Sequence, residues 1–218
     1  MALLPDISPK GIDALKRSIL YPALTSHFAI AINPQKPVRD FISSKTSGKI
    51  TPQKIDDLVI LCADASLPGS SLFTHEVTND YTGVTEKMVY RRQYDDRASF
   101  MFYVDRNYEI IQLFEAWIAY IVGEDNNRDL LEKNVTYRMK YRDDYAGDIA
   151  ISKFERDIGS AINTQTQQPQ LTGTRLNYTF VRAFPVSIDS MPVSYEGSTV
   201  MKCNVNFAYT RYVVEKTT

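Results

Sequence analysis

The chain is poor in the residues that carry chemistry. Its 218 residues include two histidines and two cysteines. Neither His27 nor His75 has a partner at ligand spacing, so a metal or catalytic histidine lacks the converging groups it would need. Cys62 and Cys203 both fall at apolar positions of strand-like runs, as small core residues kept in a reducing compartment do. There is no GxGxxG, Walker loop, GxSxG or HExxH. A charge surplus is missing too: 25 Lys and Arg stand against 26 Asp and Glu. That balance argues against a chain whose main task is gripping nucleic acid, while leaving open a neutral surface past which DNA slides. No apolar run approaches the ~18 residues of a membrane span. The opening MALLPDISPK has no basic region and is broken by Pro5 and Asp6, so it does not read as a signal peptide.

What is present is alternation. From Met201 to Tyr209 every odd position is apolar or aromatic, and Lys202, Asn204 and Asn206 stand between them. A period of two places one set of side chains on each face of a strand, so this segment is expected to be half buried. HFAIAIN and RASFMFYVD alternate in the same way. RLNYTFVRAFPVSI reads as a strand with Leu176, Tyr178 and Phe180 inward, whose pairing Pro185 ends or puts at an edge, and DLVILCA reads as a continuously apolar strand from Leu58 to Ala63. EKMVYRRQ is expected to pair with RASFMFYVD, and TYRMKYR with DIAISKF as a hairpin. The clearest helix is NYEIIQLFEAWIAYIVG: Ile110, Phe114, Trp117 and Ile121 recur at helical spacing, Asp105 or Asn107 can cap its start, and Gly123 can close it. A weaker helix is expected over Ser8 to Ile19.

Together these give seven or eight strands, one strong helix and one short N-terminal helix. That is a mainly β protein, an antiparallel β-sandwich or partial barrel with a flanking helix. Residues 1–25 read as an N-terminal extension, 26–214 as one β domain and 215–218 as a tail. Residues 33–54 read as a loop insertion and 156–174 as a long Gln/Thr-rich loop.

The acidic pairs Asp56-Asp57, Asp95-Asp96 and Asp143-Asp144 each fall at a strand boundary, where Asp bonds nearby backbone amides, rather than forming catalytic pairs. Trp117 continues the helix's apolar stripe and belongs to the core. The basic clusters Arg91, Arg92, Arg97 and Arg138, Lys140, Arg142 are interleaved with Tyr90, Tyr94, Tyr137 and Tyr141. A nucleic-acid face would use such residues. With acidic residues equally dense nearby, cross-strand pairing on a solvated or inter-subunit face accounts for them better. Fourteen tyrosines suit contact surfaces, because each buries a rigid ring while its hydroxyl keeps a partner.

The order of segments carries a resemblance. Phe28, Ile30 and Ile32 are followed by ADASLPG (Ala63–Gly69), then by DDRASFMFYVDRNYEIIQLFEAWIAYI, and last by NYTFVRAFPVSIDSMPVSYEGSTVMKCNVNFAYTRYVV. Over residues 26 to 214 the chain resembles the inner tail-tube proteins of contractile-tailed bacteriophages, and in architecture the type VI secretion tube proteins. The resemblance implies a structural virion protein without catalytic centre, cofactor or metal. Its copies would form hexameric rings with sheets joined across subunits, stacked into a tube inside a contractile sheath. Its other partners would be baseplate and tail terminator proteins, with phage DNA passing unbound through the lumen. Assembly would take place in the host cytoplasm. A baseplate tube initiator is the alternative within that class, and a monomeric ligand-binding barrel or hydrolase the alternative outside it. On this reading Tyr81, Tyr90, Arg91 and Arg92 are candidate contacts to the next ring. Lys202, Asn204, Asn206 and Thr210 are candidates for the channel lining or an inter-subunit strand face.

Overall fold

The computed structural model describes residues 23–78, 83, 85–95, 97–124, 138–154, 175–197 and 199–217. The N-terminal helix expected over Ser8 to Ile19, the loop expected over 156–174, and Tyr81 and Tyr137 lie outside the described residues. The strands are β1 (Phe28–Asn33), β2 (Cys62–Ala65), β3 (Ser70–Val77), β4 (Glu86–Tyr94), β5 (Ala98–Tyr103), β6 (Gly147–Phe154), β7 (Arg175–Ile188), β8 (Lys202–Ala208) and β9 (Arg211–Thr217). The helices are α1 (Lys36–Lys45), α2 (Pro52–Val59), α3 (Glu109–Val122) and the single turn α4 (Arg142–Tyr145). The chain is mainly β, and all its strand pairs are antiparallel.

β7 organises the sheets. Its first half, from Arg175 to Val181, pairs with β9 on one edge and β6 on the other, and β6 carries β1 beyond it. Its second half, from Phe184 to Ile188, pairs with β8, which carries β5 and then β2. The strand turns between the two halves at Arg182, which adopts a left-handed φ of 57°. β8 and β9 follow β7 along one edge and are interrupted only at Tyr209 and Thr210, where the Thr210 amide still donates to the Val181 carbonyl at 3.1 Å. The segment 215–218, expected as a tail, is a strand as far as Thr217.

The alternating residues fill the space between sheet and helix. Ala98, Phe100 and Phe102 of β5 and Cys203, Val205 and Phe207 of β8 are buried, and so are Ile149 and Ile151 of β6 and Phe180 of β7. α3 lays Ile110, Leu113, Phe114 and Trp117 on them, at the i, i+3, i+4, i+7 spacing of one helical face. Phe207 is the centre: its ring lies 5.4 Å from Phe100, 5.7 Å from Phe114 and 6.1 Å from Trp117, each at a steep angle. Such edge-to-face pairs set the positive ring edge against the negative face. The Trp117 Nε1–H donates to the Tyr145 carbonyl at 3.0 Å, so the indole is buried with its polar group satisfied. Gly123 ends α3 at φ 85°, and a Cβ there would collide with the Arg138 carbonyl. The start of α3 carries no side-chain cap from Asp105 or Asn107; Tyr108 takes the capping position in a left-handed conformation.

Four expectations are corrected. Residues 33–54 are not a loop insertion: they hold α1 and the start of α2, with Val38 and Ile42 buried on one face of α1. Pro37 and Pro52 occupy first-turn positions, where a helix has no use for the missing N–H. Thr51 caps α2 by accepting from the Lys54 amide at 3.4 Å. Leu58 to Ala63 is accordingly not one strand: Ile55, Leu58 and Val59 form the buried stripe of α2, and the strand begins at Cys62. β4 pairs with β3 rather than β5, whose neighbours are β2 and β8. Residues 138–141 form no strand beside β6, which pairs with β1 and β7.

The centrality of Phe207 sets a quantitative expectation. Phe207→Ala should cost about 3–5 kcal/mol of unfolding free energy in urea titrations of dilute protein. Trp117→Phe removes the donor to the Tyr145 carbonyl and leaves part of the indole's buried volume unfilled, and should cost about 1–3 kcal/mol.

Candidate functional site

Two surfaces stand out: a hairpin that leaves the body of the fold, and a sheet face lined with amides. The hairpin is β3 and β4, which pair only with one another among the described strands. An isolated two-stranded ribbon is marginal in water, because neither face is covered. Here both faces carry apolar side chains into solvent. Tyr90 is 68% exposed, Leu72 59%, Met88 and Val89 55% each, and Phe73 41%. Phe73 and Tyr90 stack with centroids 6.1 Å apart, beside the bulge that shifts the register between Phe73 and Thr74. Arg91 is exposed and pairs in register with Phe73. Lys87 and Glu76 form a cross-strand ion pair of 3.3 Å near the far end.

The hairpin's root is fixed more firmly. The Asp95 carboxylate accepts from the Gly69 amide at 2.6 Å, and the Asp95 amide donates back to the Gly69 carbonyl at 3.3 Å. The expected turn role of this aspartate is thus realised across the hairpin base. Arg92 donates to Ser70 Oγ at 3.1 Å, and its guanidinium lies 4.8 Å from the Tyr94 ring centre and 5.6 Å from that of Tyr212. Of the four expected ring-to-ring contacts, then, Tyr90 and Arg91 stand exposed on the hairpin, Arg92 is engaged within its own chain, and Tyr81 lies outside the described residues.

The second surface is the face of β8 turned away from the core. Asn204 and Asn206 project from it, β5 and β7 add Ser99 and Ser187, and Asp189 follows the end of β7. Ser99 donates to Asn204 Oδ1 at 2.7 Å. Asn204 Nδ2 donates to Asp189 Oδ2 at 2.5 Å, and Asn206 Nδ2 donates to Asp189 Oδ1 and Ser187 Oγ, each at 3.1 Å. Lys202 lies at the end of the row with its ammonium 5.4 Å from the Tyr103 ring centre. The side chains hold each other in place, and the face carries one lysine, Lys202, and two carboxylates, Asp189 and, in register through Met101, Asp64. Thr210 is not in this row: it follows β8, and its hydroxyl accepts from Arg142 at 2.8 Å. The sequence reading found the two asparagines from their period. It missed Asp189, which lies past the end of β7 where no period operates.

The remaining chemistry-bearing groups do not converge. Among the described residues no group of three His, Cys, Asp or Glu stands close enough to hold a metal ion. The His27 ring lies 6.2 Å from that of Phe154, and His75 pairs with Met88 on the hairpin. Two cations of the second basic cluster have partners within the chain: Lys140 lies 5.3 Å from the Tyr120 ring centre, and Arg142 lies over Phe184 while donating to the Arg182 carbonyl and to Thr210. A cleft of about 390 Å³ between the end of α1 and α3 is open to solvent and lined by Lys45, Thr46, Ser47, Lys49, Gln112, Glu115 and Ala116. Burial pushes the Cys62 thiol up to about 12 and the Cys203 thiol up to about 11, so both are protonated at neutral pH and poor nucleophiles.

Residues 23–215 match the family described as phage tail tube protein. No curated protein matches the chain. Among solved structures, a chain of the anti-feeding prophage (AFP) baseplate is 10% identical with a TM-score of 0.53, over 89% of this chain and 96% of its own. A chain of the sheath–tube complex of the PVC extracellular contractile injection system is 14% identical with a TM-score of 0.47, over 96% and 100%. A chain of the AFP tube-terminating cap is 17% identical with a TM-score of 0.48, over the whole of both chains. At 10% identity the first of these is a likeness of fold.

The thiols give a pH expectation with a definite sign. Both pKa values are raised above the ordinary 9.0, so the folded state holds these protons more tightly than the unfolded chain. Their contribution is complete below pH 9 and is lost as pH climbs through about 11 and 12. Cys203 alone should remove about 2 kcal/mol by pH 11. Thermal melts between pH 8 and 11 check this, and a midpoint that does not fall above pH 9 contradicts it.

Proposed function

The chain belongs to the phage tail tube protein family, a family of structural tube subunits, and we propose that it is the repeating subunit of the inner tube of a contractile tail. Its copies close into six-membered rings, and the rings stack. The tube stands in the virion tail inside a contractile sheath, between baseplate and terminator proteins, after assembly in the host cytoplasm. The observation that carries the stacking is the hairpin. It exposes five large apolar side chains and has no third strand or covering layer among the described residues. A soluble chain rarely displays such a surface unless something covers it, and a copy in the next ring supplies the cover, through Tyr90 and Arg91 among others. Ring closure has a basis of the same kind. Among the described strands β1, β2 and β9 each have one neighbour, and joining such edges across copies removes them from uncontrolled pairing.

The amide face suits the channel. DNA carries about one negative charge per 1.7 Å, so a basic lining would hold it. Asn204, Asn206, Ser99 and Ser187 offer polar groups bonded to one another or to Asp189, and the face adds one cation, Lys202, and a second carboxylate, Asp64. Such a surface is wetted yet has little charge with which to retain a polyanion. No bond is made or broken in this role.

Negative-stain electron microscopy of the purified protein at high concentration should show rings or tubes with a central channel. A strictly monomeric species in every salt condition would contradict the proposal. Met88→Glu with Tyr90→Glu should abolish stacking while the circular dichroism and melting midpoint of the single chain change little. Normal tubes from that variant would remove the hairpin from the interface.

A further inference from the structure

Arg92 ties three strands together. It reaches across the hairpin to Ser70 of β3, lies over Tyr94 of its own strand, and extends to Tyr212 of β9. The two tyrosine rings meet edge to face at 5.3 Å, and Tyr212 continues to Tyr178 of β7 at 6.0 Å. The Arg92 and Tyr94 contacts lie at the hairpin's root; among the described residues no layer covers the apolar side chains from Leu72 outward. We infer that Arg92 is a positioning residue: its guanidinium, held against Tyr94 and Tyr212, fixes the direction of the hairpin relative to the β9 edge, so that the two surfaces used for self-association keep a constant angle.

Lever geometry shows why a root contact would matter. Eight paired residues at ~3.4 Å each make an arm of about 27 Å, so a tilt of roughly 10° at the root moves the far end by about 5 Å. Nearer the root the same tilt moves Phe73 and Tyr90 by about 2 Å and Met88 by about 3 Å, enough to spoil close packing against a complementary surface without altering one of them. β3 and β4 share no ladder with the other described strands: they continue from β2 and β5, where the Ser66 amide donates to the Ser99 carbonyl, and that connection runs to the β5 side of the fold rather than to β9. The Gly69–Asp95 clamp closes the two strands on each other but touches neither β7 nor β9. The Arg92–Tyr94–Tyr212 stack supplies that missing reference. A planar guanidinium is suited to it: it stacks on a ring while its edge hydrogen-bonds to Ser70, which a lysine ammonium cannot do in the same geometry.

The role in assembly rests on the hairpin being an inter-copy contact, so the test has one arm that needs assembly and one that does not. In the first, the concentration at which full-length protein polymerises is compared for wild type, Arg92→Gln, Arg92→Lys, Tyr212→Leu, Tyr90→Ala and the double variants. Arg92→Gln and Tyr212→Leu should each raise it roughly tenfold, and the two together should do no more than either alone, because both act through one stack. Arg92→Lys should fall between wild type and Arg92→Gln. Arg92→Gln with Tyr90→Ala should show the product of the single effects. If Arg92→Gln and Tyr212→Leu multiply instead, or if Arg92→Lys matches wild type, the positioning role is wrong and Arg92 acts through its charge or by touching the neighbour directly. In the second arm, amide hydrogen exchange is followed in dilute, unassembled protein. Arg92→Gln should speed exchange at Ser70–Leu72 and Arg211–Val214 several-fold while β8 is unchanged; unaltered exchange there overturns the proposal. Should wild-type protein fail to polymerise, the tube reading falls, and the exchange arm alone decides for or against the stack.

Discussion

β7 belongs to both sheets, and the bend that lets it do so is held by charged groups gathered at Arg182. A left-handed conformation at a residue with a side chain costs about 1–2 kcal/mol. Here it is offset by local bonds: the Arg182 amide donates to Asp148 Oδ1 at 3.1 Å, its carbonyl accepts from Arg142 at 3.2 Å, and its guanidinium pairs with Asp143. The same Arg142 holds Thr210, at the break between β8 and β9 that lies beside the bend. Both members of the long ladder therefore turn at one place. With the bend in place, Phe180 of the first half and Phe207 beside the second face a common interior, and α3 closes it.

The outer surfaces follow from that arrangement. The strand period that sends Cys203, Val205 and Phe207 inward sends Lys202, Asn204 and Asn206 out, and the register with β5 adds Ser99 to the same row. The end of β7 brings Asp189 to both asparagines. Because β9 runs beside the first half of β7, it presents Tyr212 to the root of the hairpin that β3 and β4 send away from the body. One shared strand thus sets the positions of the amide face, the β9 edge and the anchoring point of the arm. A structural subunit needs this kind of rigidity more than it needs a pocket, since error at one interface is repeated in every copy.

Much of this was legible in the sequence. β5 and β8 show strict alternation because each has one buried and one wetted face, β7 alternates up to its bend at Arg182, and α3 shows its stripe because one face meets the sheet. The order of these segments also carried the resemblance that the family match now supports. The two short helices were hidden by composition: Pro37 and Pro52 look like loop markers, yet each begins a helix. LVILCA looked like one strand because the buried end of α2 and the half-buried start of β2 are joined by Ile60, exposed yet apolar, without a polar break. The pairing of β4 with β3 was obscured because a projecting ribbon has no inward face and therefore no period. Arg92 read as a contact because a basic residue among tyrosines looks the same in sequence whether its partner ring is on another chain or, as with Tyr212, more than a hundred positions away.

The central claim is that copies of this chain complete one another, the hairpin of one covered by a neighbour and the amide face turned to a common axis. A cryo-EM reconstruction of the polymer tests it most directly. The account predicts density that seats Phe73, Met88 and Tyr90 against an adjacent ring and turns Asn204 and Asn206 toward the lumen. Hairpins standing clear in solvent, or an amide face turned to the outside of the tube, would contradict it.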